Sequence, residues 1–388
     1  MALRPIHRRG RFTVAALAVS TAFGVATAPS ASAAPTITTV LSGLNNPRGL
    51  AFDGSGHLYL SESGIYDSSA PALTHTGRVT KYRADDGTWH TVWSSGGFES
   101  LSDAENGPEV LGPEGISASG DDVTMIMSES IHGVHAASGL EPHQLGLLYD
   151  LESANGRVSR LADIGDQEYD WTGDHKSLAP HDFPDSNPYA VLVTGSGAAK
   201  RTFVADAGAN TINEVRSNGS VRVVSYIPND AQFDATPTCI AMGSDGMLYV
   251  GTLDLLTNSV LSKTAPPNIG GNPGHSNVWR VNPNASYPTP PQRWATGLTT
   301  VSACTFDRAG NFWATELFRQ NRQGPPGDLV KIAASEVARR TTDDLVHIGG
   351  GSLPLPGAIA QGPGGAMFVA LVADSPQPGS GSVVKVTP

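Results

Sequence analysis

Apolar and polar positions alternate with period two in a stretch that recurs along the chain. The first copy runs from Pro47 to Glu62 (P-R-G-L-A-F-D-G-S-G-H-L-Y-L-S-E). It reads as an apolar strand, a tight Asp-Gly-Ser-Gly turn, and a second strand in which Leu58 and Leu60 alternate with polar neighbours. Such alternation around a short Gly-rich turn is a hairpin pattern. Close copies span Pro237 to Thr252, Val301 to Glu316 and Pro356 to Leu371, and looser ones Pro113 to Glu129 and Pro188 to Asp206. Six copies spaced roughly 50 to 75 residues apart fall in the range of propeller blades. A third strand follows each hairpin: Gly77 to Tyr82, Gln144 to Leu151, Asn210 to Val215, Asn277 to Val281, Asp328 to Ile332 and Gly381 to Val386. Five repeats continue into a fourth: Trp89 to Trp93, Arg157 to Leu161, Val221 to Tyr226, Gln292 to Ala295 and Asp344 to Ile348. Four meandering strands make one blade.

The sixth repeat lacks its fourth strand, and the segment before the first repeat supplies a spare one, Ile37 to Leu41. The chain therefore predicts an all-β, six-bladed propeller in one domain, residues 34–388, closed by the N-terminal strand completing the last blade. The blades fall near 47–96, 113–165, 188–228, 237–298, 301–350, and 356–388 with 35–43. The long inserts, Ser63 to Thr76, Ser94 to Gly112, Ser130 to His143, Gly165 to Asn187 and Leu253 to Ser276, all belong on one face. The opposite face has short turns such as Ser244-Asp245-Gly246. Loops on a rigid scaffold are where function concentrates.

Composition agrees with this picture: 44 Gly and 28 Pro, with only 16% charged residues, suit a turn-rich β protein. Residues 1–33 read as a secretory signal peptide, with Arg4, Arg8, Arg9 and Arg11 before the apolar run Phe12 to Ala26 and a small-residue site at Ala31-Ser32-Ala33. Arg8-Arg9 leaves both the general and the twin-arginine export routes open. That apolar run is shorter than a membrane span, and no other candidate span exists. Removing the leader takes away four arginines and no acid, so the net charge moves from −11 to −15. So acidic a surface argues against phosphate-backbone binding, and hence against a nucleic-acid partner. An exported chain permits a disulfide between its two cysteines, Cys239 and Cys304, which lie one register apart in consecutive repeats. A bridge across a blade interface and two buried thiols both fit.

Four repeats carry an acid at the end of the second strand: Glu62, Glu129, Asp206 and Glu316. Arranged radially, they would form a partial ring around the channel mouth. Converging oxygens suit Ca²⁺ or Mg²⁺. Acids there could equally cap turns or face Arg48 and Arg319. The segment Asp170 to Tyr189 concentrates Trp171, His175, His181, Asp182 and Asn187 and predicts a pocket wall or a capping loop. His132, His135 and His143 lack a zinc-site spacing. No G-x-S-x-G, H-E-x-x-H, C-x-x-C or phosphate-binding loop is present.

The blade-one core resembles an NHL-type repeat. Together with Asn45-Asn46-Pro47-Arg48-Gly49-Leu50, Gly112-Pro113-Glu114-Gly115 and Asp185-Ser186-Asn187-Pro188-Tyr189, nearly the whole chain after the leader resembles the ScyD/ScyE family. The resemblance implies a six-bladed propeller outside the cytoplasm, and a role on an aromatic small molecule is an expectation of the family alone. It carries no catalytic residue over. Two function classes follow. One is a propeller binding a small molecule, glycan or extracellular protein on its elaborated face, with Arg48, Trp171, His175, His181, Asp182 and Asn187 as ligand contacts. The other is a Ca- or Mg-dependent enzyme, such as a lactonase or hydrolase, using the acid ring or acting on an aromatic metabolite.

Overall fold

The computed structural model describes residues 35–103, 108–230, 232–256, 274–318, 326–339 and 345–387. The leader, Arg319, Asp344 and most of the Leu253 to Ser276 insert lie outside the described residues. Six sheets form six blades: five have four strands and blade one has five. Blade three shows the simple pattern, with strands Pro188–Thr194, Arg201–Asp206, Thr211–Val215 and Val221–Tyr226 in sequence order. Blade six is built from both ends of the chain. Thr36–Leu44 pairs antiparallel with Gly381–Thr387, Ile37 opposite Val386 and Ser42 opposite Ser382.

The second strands are buried along their length, in blade one from Leu58 to Glu62, with only the first residues in blades two and three, Asp122 and Arg201, half-buried. The alternation in L-Y-L-S-E therefore does not separate core from solvent. It separates two neighbours. Leu58 and Leu60 pack with Ala358 and Phe368 of blade six, while Tyr59 packs with Ile116 and Met125 of blade two. Similar apolar clusters fill the other four interfaces. Side chains of period two pointing to opposite faces produce this arrangement when both faces are covered. Hydroxyls add polar stitches. Ser63 Oγ donates to Pro113 O at 3.0 Å and Ser302 Oγ to Pro356 O at 2.6 Å, and Thr238 Oγ1 donates to Val301 O. Cys239 and Cys304 are joined in a disulfide between blades four and five, with Cα atoms 5.5 Å apart.

The inserts are more regular than the sequence suggests. Ser63 to Thr76 and Ser94 to Gly112 were expected as loops. Instead the third strand of blade one starts inside the first of them, as Ala72–Asp85, the fourth runs into the second, as Thr88–Asp103, and Glu109–Leu111 adds a fifth strand. Their Ser and Thr content carries no apolar period, yet long backbone pairing holds them. The Ser130 to His143 insert holds helix α1 (Ile131–Ser138), capped by Ser130 Oγ accepting from Gly133 N and ended by Gly139 at φ 71°. The Gly165 to Asn187 insert begins with helix α2 (Gly165–Asp174).

Candidate functional site

The first strands of all six blades line a central channel, with a cavity of about 370 Å³. Each enters at the elaborated face, where the register pairs its first residue with the end of the second strand: Pro47 with Glu62, Pro188 with Asp206, Val301 with Glu316. In blade two the residue opposite Pro113 is Met127. Glu129 therefore lies two residues past the ring position, in a left-handed turn at φ 63°, so it is not equivalent to the other acids.

Three acids do share the register, and each meets a different partner. Glu62 accepts from Asn45 N (2.7 Å) and is paired with Arg78 through Nε at 2.5 Å and Nη2 at 2.9 Å. Asp206 accepts from Ser186 Oγ and from the N–H groups of Asn187, Gly208 and Ala209. Glu316 accepts from Thr299 N at 2.7 Å and has His347 Nδ1 3.9 Å from its other oxygen, Oε2. A shared role appears here: each carboxylate takes the N–H of the residue one or two before its first strand and pins the turn into the channel. Among the described residues, no three His, Cys, Asp or Glu side chains converge as a cation site. The ring residues thus do not fit one common Ca²⁺ or Mg²⁺.

Arg48 does stand at the mouth. It is the second residue of its first strand, is 7% exposed, and faces three carboxylates: Glu109 and Glu114 at 3.5 Å and Asp374 at 3.6 Å. Its Nη2 also donates to Val110 O at 3.2 Å. Burial opposes its charge, but Glu114, Tyr189, Asp374 and Glu109 outweigh that and raise its pKa, so it stays a cation. Glu114 is pushed up to about 8 by burial, with Arg48 acting the other way, and Glu109 to about 7 by burial and by Asp374. Tyr189 belongs to the group too, its phenol raised by burial and by Glu114.

These partners were legible in part. Pro47-Arg48, Pro113-Glu114 and Pro188-Tyr189 occupy one repeat position in three consecutive blades, inside the three motifs quoted above. Sequence reading weighed the acids at strand ends instead and missed Glu109, Glu114, Tyr189 and Asp374 as a group. The Asn45-Asn46 pair explains how Asp374 arrives. Asn46 Oδ1 accepts from Ser375 N and Asn45 Oδ1 from Gly379 N, both at 2.7 Å, holding the blade-six loop against blade one.

The expected wall divides. Asn187 does reach the acidic mouth, its Oδ1 accepting from Glu129 N at 3.3 Å. Asp182 acts through charge, helping to raise Asp185 and Asp234. Trp171 and His175 go elsewhere: their rings stack 4.0 Å apart, edge-on to Tyr287 of blade four, and His181 is exposed. Among the described residues no contact joins either stacked ring to Arg48. The histidines of the α1 region also separate, with His132 facing Asp166 at 3.4 Å, His135 facing Glu141 at 3.2 Å, and His143 held by its backbone on Glu99.

No family model and no curated protein matches the chain. Solved structures do match. The chain is similar to the PQQ-bound aldose sugar dehydrogenase of Streptomyces coelicolor, with a TM-score of 0.52 and 12% identity over 92% of this chain and 98% of that one. It is similar to the alpha-L-arabinanase of Penicillium chrysogenum complexed with arabinobiose, at 0.53 and 13% over 91% and 97%. A gluconolactonase of Xanthomonas campestris matches at 0.49 and 10% over 90% and 88%. Identities this low speak for architecture alone: the first two matches bear only on the propeller fold described above.

Proposed function

We propose that this is an exported propeller of the ScyD/ScyE type that binds a small molecule at the elaborated mouth of its central channel. Arg48 carries the reading. It is a buried cation at the open end of a channel, placed there by residues of blades six, one, two and three, and its Nε has no hydrogen-bond partner. Buried polar groups are nearly always satisfied, so a guanidinium with one N–H left unpaired, on a residue that lines a cavity, supports a ligand. A thermal-shift screen of a small-molecule library against wild type and Arg48→Met tests it. Hits should vanish in the variant; hits that persist unchanged place binding elsewhere and sink the reading.

A second reading is an enzyme acting at the same mouth. Glu114 favours it: a carboxyl pushed up to about 8 beside a fixed guanidinium is suited to general acid catalysis near neutral pH. The similarity to propellers that are enzymes supports it at the level of fold. Lactone and glycoside hydrolysis, assayed with Ca²⁺, with Mg²⁺ and with chelator, tests this reading. Activity unaffected by Glu114→Gln would exclude that role.

A further inference from the structure

We infer that Cys304 is a thiol-exchange site, reached from the central channel by a small thiol, and that the staple between blades four and five is therefore reversible. The inference stands apart from the reading of Arg48, since it uses the wall of the channel and not its mouth. The first argument is position. Cys239 and Cys304 lie on first strands, Pro237–Met242 and Val301–Phe306, and both line the channel cavity. The two halves of the bridge are not equivalent. Cys239 is 3% exposed, whereas Cys304 is half-buried. A nucleophile coming from the channel meets Cys304 first.

The second argument is the leaving group. Cys239 Sγ accepts from Gly251 N at 3.2 Å. An N–H already aimed at that sulfur stabilises it as a thiolate, and exchange is faster when the departing thiolate is the more stable one. Gly251 permits the approach, since a Cβ there would lie 2.6 Å from the sulfur. The step balances without an outside oxidant. The small thiol gives its proton to solvent, and its thiolate forms a bond to Cys304 Sγ. The bond between Cys239 and Cys304 breaks, and its electron pair stays on Cys239 Sγ beside Gly251 N. Attack of Cys239 back on the mixed disulfide expels the small thiol and restores the staple. The third argument is charge and room. The chain is acidic overall, yet Arg48 and Arg308 line the cavity and no Asp or Glu does. Arg48 is engaged with its own carboxylates. Arg308 is exposed, four residues beyond Cys304, and its Nη1 donates to Gly362 O at 3.3 Å. A thiolate therefore meets no acid along that wall. A cavity of about 370 Å³ takes a small molecule but not a folded protein.

The test incubates the full chain with excess reduced glutathione at pH 8, in native buffer, with acid quenching at intervals and peptide mapping by mass spectrometry. The bridge should open at a rate proportional to glutathione, with glutathione on Cys304 and a free thiol at Cys239. The same concentration of thiol carried on the surface of a small folded protein should open it at least about tenfold more slowly. Equal rates for the two thiols, glutathione mapped to Cys239, or opening only in urea would each overturn the inference. The single variants Cys239→Ser and Cys304→Ser, checked for folding by circular dichroism, cover an adduct too short-lived to map. Offered glutathione disulfide, the remaining Cys304 thiol should take up glutathione at least about tenfold faster than the remaining Cys239 thiol. Equal uptake by two folded variants would overturn the assignment to Cys304.

Discussion

Asp206 gathers four hydrogen bonds into one buried carboxylate, three of them from backbone N–H groups. Removing it leaves those donors unsatisfied, at a cost of about 1–3 kcal/mol for each group that water does not reach. Asp206→Ala should therefore destabilise more than Glu316→Ala, which frees only the N–H of Thr299; urea unfolding of both variants checks the order. Glu114 behaves differently, because burial raises its pKa to about 8 while Arg48 opposes the rise and Glu109 and Asp374 add to it. A carboxyl raised in the folded state leaves stability intact below its unfolded pKa, near 4.5, and removes it as pH climbs through about 8. The melting temperature should fall between pH 5 and pH 9, and Glu114→Gln should flatten that fall. An unchanged slope would mean that Glu114 does not titrate in this window. Residue chemistry was legible at Arg48, which the sequence singles out. It was not legible at Glu109 and Asp374, because loops bring them in and no period places a loop residue.

At the scale of elements, the closing strand was legible because a missing strand at one end and a spare at the other complement each other. Deleting residues 34–43 should expose the edge of Gly381–Thr387 and sharply lower the unfolding temperature. Thermal unfolding that does not move would contradict the pairing. The disulfide closes a loop of 65 residues between first strands of adjacent blades. Loop-closure entropy puts its contribution at about 4 kcal/mol at most. Cys239→Ser with Cys304→Ser should lower stability by up to that amount in denaturant titration. The elongated strands of blade one escaped sequence reading for a physical reason. Their ends are rich in Ser, Thr and Gly, and although Phe98 and Leu101 are buried there, two apolar residues among hydroxyls show no strand period. Helix α1 announced itself only through Ser130 and Gly139, which cap a segment too short to show a period.

For the whole molecule, the repeat gave the blade number and order, since each interface needs the same apolar positions on both sides. The site was less legible, because it forms between blades and no single repeat contains it. Its placement has a further consequence. Arg48 belongs to blade one and Asp374 to blade six, so the pair straddles the seam where the circle of the chain is finished. A small molecule held at that mouth, as proposed above, would act as a clasp. Opening the seam would have to break its hold, so its binding energy resists the local opening as well as global unfolding. Amide protons of Thr36–Leu44 exchange when that seam opens. With ligand bound they should exchange more slowly, by a factor that grows with ligand concentration, while amides of blades three and four, remote from the seam, respond less. Occupancy of the mouth would then be readable from the first strand of the chain.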